Sequence, residues 1–538
     1  MKKRILIGFL ALTLVASALS GCSNTKSKAT QASVKKTDTV NIGIASDIVS
    51  LDPAFAYDST TVEVTNQITE GLLAYDSHNK LVTKLAKSWK IVDDKTYVYE
   101  VRDDVNFSDG TPMTIDDVLF SLNRTKDPAT TSNEGWMYAN VASITKTGPW
   151  EITVKLSKPD ATWKYVFATT GGHIISQKYY EANKEKFGKP EGGVLGTGAY
   201  VFKKWVTGSE VNLVKNTNYW DKSSKIAVKK INYKVIPENA TLLSAVKSGQ
   251  VDVTLVPPVD TIDQYKSYNN VNTIQSEGYQ GNEIAFNCQR APFDDVNVRR
   301  AVASLVDAAS ITKNILKSDV PANALPFGEK VAAFNTDEWV KFGSTASYIK
   351  YDLKKAKEYL AKSKYPNGFT SEILVSSSAS DNNSICLQLQ QALKELNITL
   401  NIKKLPFNDF TSYAYGGHLD KDGKRDYDML IWGWLSDWPD PAGYMVPLFS
   451  SANAGQGGSN WSAYKNAQVD QLLDKQNETL DNTERTKLLE QAINIANDEA
   501  AYVTLSYPRD GFIISKKFSY KPSASWFYNF YVKDFKVN

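Results

Sequence analysis

The chain has 538 residues, 42% hydrophobic and 22% charged, an ordinary globular composition that excludes wholesale disorder, collagen and coiled coils. The formal net charge is +3, but residues 22–538 keep 59 of the 62 basic residues against 59 acidic ones, so this part lacks the positive field that nucleic-acid binding requires. The length fits about three domains or two large lobes, and only the N-terminal apolar run is long, which excludes a polytopic membrane protein.

The N-terminus has the features of a bacterial secretion signal. Residues 1–4 are basic, residues 5–19 are apolar but short for a bilayer, and the sequence LSGC follows at 19–22. LSGC resembles the lipobox of bacterial lipoproteins, so we predict a signal peptide at 1–21 and lipidation of the Cys22 sulfur. Such a lipid anchors a protein to the extracytoplasmic face of the cell membrane without spanning it. The alternative is a plain signal peptide with an incidental cysteine.

The folded body is predicted to begin near residue 39, because residues 22–38 contain few large apolar side chains and are typical of a flexible tether. Strands and helices then alternate. In the first half we predict a strand at 40–45, a helix at 62–73, a strand at 97–107, a helix from the capping box of Thr114 and Asp117 through 123, a hairpin of 200–205 and 210–215, a helix at 240–247 and a buried strand at 251–256.

The second half repeats this alternation more regularly. We predict helices at 296–306, 353–363, 385–396, 468–478 and 482–498, and strands at 373–376, 398–405, 427–432 and 501–507. The strand, helix and strand over 373–405 form a βαβ unit, which implies a parallel pair. Alternating elements in two large segments predict two α/β lobes with a ligand cleft between them.

The sequence lacks the usual catalytic and metal-binding motifs. HExxH, GxSxG and a phosphate-binding loop are absent, and the cysteines Cys22, Cys288 and Cys386 form no CxxC pair. Asp437 and Asp440 are a carboxylate pair, so a secreted hydrolase stays an alternative, although aspartates in such turn-rich runs more often cap turns. We therefore expect a binding protein that is not an enzyme and uses no cofactor or metal.

Five runs of sequence resemble one family and occur in its order. They are LDPAFAYDSTTVEVTNQITEGLLAYD (51–76), the run from LAKSWK to FSLNR (85–124), GTGAYVFKKW with VNLVKNTNYWD (196–221), IAFNCQRAPFDDVNVRRAV (284–302) and DYDMLIWGWLSDWPDP (426–441). On these runs the chain is identified as a member of the bacterial extracellular solute-binding proteins, family 5. It is similar to the oligopeptide- and dipeptide-binding lipoproteins of ABC importers. Other members of the family carry nickel, haem or oligosaccharides.

The resemblance implies an α/β fold of the periplasmic-binding-protein type (type II, cluster C-like), with two lobes, a hinge and an extra subdomain. Lobe I would comprise 39–69, 194–287 and 501–538, the extra subdomain 70–193, and lobe II 288–500. A ligand is engulfed as the lobes close, and the closed shape is presented to the permease.

The resemblance also implies binding residues. In peptide-binding members an extended peptide pairs with protein backbone, and the matching positions here are Tyr57, Asp58 and Ser59 in one lobe and Gly433, Trp434 and Leu435 in the other. Asp437 matches the aspartate that binds the α-ammonium of the peptide, with a turn cap as the alternative role. Phe407 matches an aromatic residue that lines a side-chain pocket. Trp432 and Trp434 share one face of a strand and either line the pocket or pack in the core.

Two departures concern the carboxylate end of a peptide. Family members hold the carboxylate with an arginine six residues before the aspartate, where this chain has Ile431, and with another in the loop that here reads SSSASDNNS (376–384). The function predicted is capture of short peptides by a lipid-anchored, monomeric receptor that delivers them to an ABC transporter permease and binds no nucleic acid. The alternative is a receptor for an oligosaccharide or a metal chelate on the same fold.

Overall fold

The computed structural model describes residues 38–255, 257, 259–277, 280–317, 320–329, 331–521 and 526–538. The predicted signal peptide, the predicted lipidation site Cys22 and all but residue 38 of the predicted tether lie outside the described residues. Of the helices that are described, none combines the length and the apolar character needed to cross a membrane.

The strands are distributed along the whole described chain. In chain order they are β1 (Thr39–Ile44), β2 (Glu70–Gly71), β3 (Leu73–Tyr75), β4 (Leu81–Thr83), β5 (Ala86–Asp93), β6 (Thr96–Val101), β7 (Val141–Gly148), β8 (Glu151–Leu156), β9 (His173–Ile174), β10 (Tyr200–Val206), β11 (Glu210–Lys215), β12 (Lys230–Val235), β13 (Val253–Leu255), β14 (Val271–Glu277), β15 (Gly281–Phe286), β16 (Val320–Pro321), β17 (Thr370–Ser376), β18 (Thr399–Leu405), β19 (Met429–Trp434), β20 (Tyr502–Tyr507), β21 (Arg509–Ser515), β22 (Phe518–Ser519) and β23 (Lys536–Val537).

The helices are concentrated in the second half of the chain. In chain order they are α1 (Ser59–Thr65), α2 (Ile115–Lys126), α3 (Trp163–Val166), α4 (Gln177–Asn183), α5 (Asn239–Lys247), α6 (Val259–Lys266), α7 (Val296–Ala303), α8 (Ala308–Ile311), α9 (Thr336–Thr345), α10 (Leu353–Ala361), α11 (Ser380–Leu393), α12 (Phe407–Ala414), α13 (Ala442–Phe449), α14 (Ala467–Glu478), α15 (Asn482–Glu499) and α16 (Trp526–Asn529).

The first large sheet has the strand order β10-β11-β12-β1-β13-β21-β14 among the described residues. Its centre is parallel, because β1 runs parallel to both β12 and β13, and the other pairs are antiparallel. The α5 helix joins β12 to β13 as the crossover that parallel strands require. The predicted hairpin of β10 and β11 is present in this sheet.

The second large sheet has the order β16-β20-β15-β19-β17-β18 within the described ranges. The predicted βαβ unit is confirmed, since β17 and β18 are parallel and α11 connects them. The β19 strand lies at the centre, parallel to β17 and antiparallel to β15.

The second sheet extends beyond the predicted limits of lobe II, 288 and 500. The strands β15 and β20 lie just outside those limits, yet Glu283 of β15 is opposite Trp432 and Ala285 is opposite Tyr502. Pairing between strands so distant in sequence leaves no local signal at the boundary. We therefore propose that lobe II spans 281–507 and that the chain crosses between lobes after β14 and after β20.

A third sheet, β5-β6-β8-β7, lies within the predicted extra subdomain and is antiparallel. The α2 helix packs beside it and begins at the predicted capping box, in which Thr114 Oγ1 accepts from the Asp117 backbone N–H and the Asp117 carboxylate accepts from the Thr114 N–H. The core of this subdomain is aromatic, with Tyr97, Tyr99 and Trp163 fully buried.

The predicted helix at 62–73 is wrong in its second half. The α1 helix ends at Thr65, and residues 70–75 form two short strands. The apolar residues do recur at helical spacing, but Val64 and Ile68 are buried in the core of the first sheet, whereas Leu72 and Leu73 are buried in the core of the extra subdomain. The helical spacing of apolar residues over 62–73 therefore does not mark one helix, because these residues are divided between two separate hydrophobic cores.

Candidate ligand-binding cleft

Asp437 lies in the loop that follows β19, and 8% of its surface is exposed. Burial raises the pKa of its carboxyl from the usual 3.8 to about 7, although interactions with the Tyr57 side chain and with its own backbone N–H oppose this shift. Cations would hold the pKa low, and none among the described residues contributes. Asp437 is thus a buried carboxylate with no cationic partner in the described part of the chain.

The groups that interact electrostatically with Asp437 come from several parts of the chain. Its charge raises the pKa of Tyr57, which precedes α1, and adds to burial in raising those of Tyr415, after α12, and Tyr528, in α16. Glu134 belongs to the extra subdomain, and its pKa rises to about 8 through burial and the Asp437 charge. Asp437 therefore faces both lobes and the extra subdomain.

Asp440, three residues further along, is in the opposite electrostatic situation. Its carboxylate is fully buried and accepts two hydrogen bonds from the Arg485 guanidinium, at 2.8 and 2.9 Å. Despite burial, the charge of Arg485 keeps the pKa of Asp440 below its usual value. The same guanidinium also donates to Gln476, so this pair fixes the loop onto α14 and α15. Asp440 is a structural residue and does not form a free carboxylate pair with Asp437.

The backbone beside Asp437 has an unpaired edge. The whole of β19 pairs with β15, whereas on its other side β17 is in register only with Met429 and Leu430. No described strand pairs with that side of residues 431–434. A Cβ at Gly433 would lie 2.0 Å from Gln280 Nε2 and 2.6 Å from Asn282 Oδ1, so these two side chains would have to move to accommodate any larger residue. Gly433 and Leu435 are half-buried beside this edge.

Aromatic rings cover the face of β19 that carries Trp432 and Trp434. Both tryptophans are half-buried and contact the fully buried Trp461, with ring centroids 4.9 and 5.9 Å away. Phe407 is 51% exposed, and its ring lies nearly perpendicular to that of Trp432, with the ring centroids 6.2 Å apart. Tyr415 also contacts Trp432. The tryptophans thus combine a core contact on one side with a partly open surface on the other.

The predicted segment at 57–59 is exposed and ends in a helix cap. Asp58 accepts a hydrogen bond from the Thr61 N–H at 3.0 Å and so caps α1, whose first residue is Ser59. The Asp58 side chain is thereby committed to the helix. Tyr57 is the member of the segment whose side chain interacts with Asp437.

The positions where family members carry arginines provide no cation here. Ile431 is 1% exposed and packs in the core of the second sheet. At the other position, Ser376 and Ser378 hydrogen-bond to each other through their hydroxyls at 2.8 Å. The structure brings Asp437, Tyr57, Gly433 and Leu435 toward the cleft but places no basic group at these two positions.

Direct contacts join lobe II to the extra subdomain across the cleft. Trp438 stacks on Tyr165 with centroids 6.4 Å apart and contacts Trp136 at 5.4 Å. The Ala161 N–H donates to the Asn477 carbonyl at 2.7 Å. A cavity of about 160 Å³ beside them is lined by Trp136, Asp437 and Trp438. Lobe II and the extra subdomain therefore meet directly at Trp438, next to Asp437.

Sequence reasoning missed several residues of this site: Glu134, Trp136, Tyr415 and Tyr528. They come from three separate segments of the chain, all outside the predicted binding positions. The aromatic content of 11% is a general sign of such surfaces, but nothing in the local pattern around Glu134 indicates burial.

Comparisons with known proteins identify the family. The sequence model of the bacterial extracellular solute-binding proteins, family 5 Middle, matches residues 80–456. The chain belongs to this family. Its members are transport receptors of ABC importers, so this family 5 solute-binding protein is a receptor and not an enzyme. The family places the receptor outside the cytoplasm.

Two relatives and one solved structure show the range of ligands in this family. The chain is 30% identical to the probable D,D-dipeptide-binding periplasmic protein DdpA of Escherichia coli K12 over 87% of this chain and 88% of that one. It is 26% identical to heme-binding protein A of Haemophilus influenzae over 94% of each. The structure of the periplasmic binding protein DppA from Helicobacter pylori, in complex with peptide STSA, has a TM-score of 0.78 at 24% identity and covers 93% of this chain and 98% of that one.

The fold prediction is thereby confirmed: this family 5 solute-binding protein has the two-lobed α/β fold of the periplasmic binding proteins.

Proposed function

We propose that this receptor captures short peptides with a free amino terminus and delivers them to the permease of an ABC importer. The observation that carries the proposal is Asp437, a carboxylate that is 8% exposed and lacks a cation among the described residues. An uncompensated buried charge is costly, whereas an ammonium from a ligand would form a charge-assisted hydrogen bond with it. In this role Asp437 receives the α-ammonium.

The unpaired edge of β19 supports a peptide more than another amine. Next to Asp437, residues 431–435 offer backbone groups on the side that β17 leaves unpaired, among the described strands. An extended peptide added there would make main-chain hydrogen bonds that do not depend on its sequence. Phe407, Trp432 and Trp434 would contact its side chains from the partly open aromatic face.

Lipidation of Cys22 is part of the same proposal. The basic and apolar leader followed by LSGC supports it, and residues 22–38, if they form the tether predicted from sequence, would let an anchored receptor reach a permease in the same membrane. We propose a monomer at the extracytoplasmic face.

The test is to identify what the protein binds. Mass spectrometry of small molecules that co-purify with the protein should show peptides, and calorimetry should detect binding of a mixed peptide pool. The same titrations with oligosaccharides, haem and a nickel–histidine chelate serve as comparisons. Binding of one of these without binding of peptides would overturn the proposal and favour a receptor for another solute.

A further inference from the structure

Glu134 is a second buried carboxylate in the cleft, and the function just described does not use it. Its side chain has 0% exposure and comes from the extra subdomain, just before the turn at Gly135–Tyr138. The segment that carries it is fixed beside Tyr57, because the Ser132 hydroxyl and the Asn133 N–H both donate to the Ala54 carbonyl, at 2.7 and 3.0 Å. Glu134 therefore has a defined position next to the proposed ammonium site.

One oxygen of Glu134 is satisfied and the other is not. Oε1 lies 2.9 Å from the Thr170 hydroxyl, whereas Oε2 is buried and hydrogen-bonds to no described residue. A buried polar atom without a partner is rare and costly, so a donor from a bound molecule is expected at Oε2.

The contacts of Thr170 indicate that Glu134 carries a proton in the empty cleft. The Thr170 hydroxyl lies 2.9 Å from Glu134 Oε1 and 3.0 Å from the Ala56 carbonyl, but it has one hydrogen to donate. Both contacts are satisfied when Thr170 donates to Ala56 and a protonated Glu134 donates to Thr170. Burial and the Asp437 charge, which raise the pKa of Glu134 to about 8, favour the same state.

Among the described residues, the groups that interact electrostatically with Glu134 carry no positive charge. They are Asp437 after β19, Tyr57 before α1, Tyr528 of α16 and Tyr138 of its own turn. Each of them is neutral or negative near pH 7. Two buried carboxylates that share a site cannot both ionise easily without a cation, so full ionisation requires positive charge from the ligand.

We infer that Glu134 and Asp437 together form a two-carboxylate pocket that selects ligands with two positive charges at one end, such as a peptide whose first residue is lysine or arginine. The inference rests on the proposed peptide-binding function. The α-ammonium pairs with Asp437 and the basic side chain pairs with Glu134 through Oε2. Glu134 releases its proton to solvent as the second cation enters, so that the buried pair becomes charge-neutral.

The experiment compares two tripeptides, Lys-Ala-Ala and norleucine-Ala-Ala, which have similar first side chains except for the terminal ammonium. Wild-type protein should bind the lysine peptide at least about tenfold more tightly, because only its side-chain ammonium can pair with Glu134 and close charge pairs couple on this scale. Glu134→Gln should reduce this preference to about twofold or less without weakening the norleucine peptide. The matched control is Glu185→Gln, an exposed glutamate of the same subdomain, which should keep the full preference.

A second measurement on wild-type protein does not depend on any variant. Calorimetry near pH 7 in two buffers of different ionisation enthalpy gives the protons released, and the lysine peptide should release up to about one proton more than the norleucine peptide. Equal affinity and equal proton release for the two peptides would overturn the two-carboxylate pocket and leave peptide binding intact. Binding of neither peptide would overturn the proposed function and this inference together.

Discussion

Replacing Asp437 with asparagine keeps the side-chain shape and removes the charge that the proposed function requires. The pKa of the carboxyl is raised from 3.8 to about 7, which corresponds to roughly 4 kcal/mol of disfavoured negative charge in the empty, desolvated site. A bound ammonium can recover free energy on this scale. We therefore expect Asp437→Asn to weaken peptides with a free amino terminus by about 2–5 kcal/mol, which is roughly 30-fold to several-thousand-fold in Kd.

The assay is calorimetric titration of one peptide in three forms: free, acetylated at the amino terminus and amidated at the carboxy terminus. Acetylation removes the ammonium, so the acetylated form should bind wild-type protein poorly and be little affected by Asp437→Asn. Amidation should cost less than acetylation, because Ile431 and Ser376–Ser378 replace the basic groups of other family members. Asp422→Asn, at an exposed carboxylate of lobe II, is the matched control and should bind like wild type.

Two results would refute this reasoning in different ways. If Asp437→Asn binds the free peptide as tightly as wild-type protein does, Asp437 is a loop residue without ligand contact. If amidation proves the costlier change, another cation holds the carboxylate. Loss of binding through misfolding can be recognised from thermal stability. Folding raises the pKa of the Asp437 carboxyl, so the charged form of this group is disfavoured in the folded protein. Above about pH 7, Asp437→Asn should therefore leave the Tm of the empty protein unchanged or higher.

The remaining predictions concern pH, motion, the structural ion pair and the anchor. Because Asp437 must ionise to bind an ammonium, affinity for a free-amine peptide should fall about fivefold from about pH 7 to about pH 6, where the peptide amine stays protonated, and constant calorimetric affinity over this range would contradict it. Saturating ligand should reduce the radius of gyration measured by solution scattering, because the two lobes are expected to close around it; an unchanged radius would argue against closure. Arg485→Ala should lower the free energy of unfolding in urea by about 3–5 kcal/mol, because it leaves the Asp440 charge buried and unpaired, and a near-neutral effect would show that water reaches Asp440. Cys22→Ala should move the protein from the membrane fraction to the soluble fraction, and unchanged membrane association would rule out the lipid anchor.

Elements determined by nearby residues were predictable from sequence. The capping box of Thr114 and Asp117 begins α2 as expected, and the βαβ unit of β17, α11 and β18 is parallel as expected. In each case the deciding interactions lie within one segment of chain. The five runs of sequence that resemble the family then allowed a fold with two lobes to be predicted for the whole folded body.

Features that depend on distant partners were not predictable. The placement of β15 and β20 in the second sheet is determined by pairing over more than 200 residues, as between Ala285 and Tyr502. The burial of Glu134 depends likewise on Thr170 and on the loop that carries Asp437. A glutamate in a polar run has no sequence signal that distinguishes a buried side chain from a solvated one.

The loop that follows β19 carries two buried aspartates, one that is paired with a cation and holds the loop in place and one that has no such partner among the described residues. Asp440 and Arg485 are both fully buried and hydrogen-bond in two places, which fixes the loop against α14 and α15. Asp437, three residues earlier, is nearly as buried but lacks such a cation among the described residues, and the pKa shifts of the two carboxyls are opposite in sign. Because the Asp440–Arg485 pair holds the loop in place, the Asp437 side chain is not free to rotate into solvent. We propose that protonation relieves the cost of burying Asp437 in the absence of ligand and that a cation of the ligand relieves it on binding, so that affinity depends on the charge of the ligand.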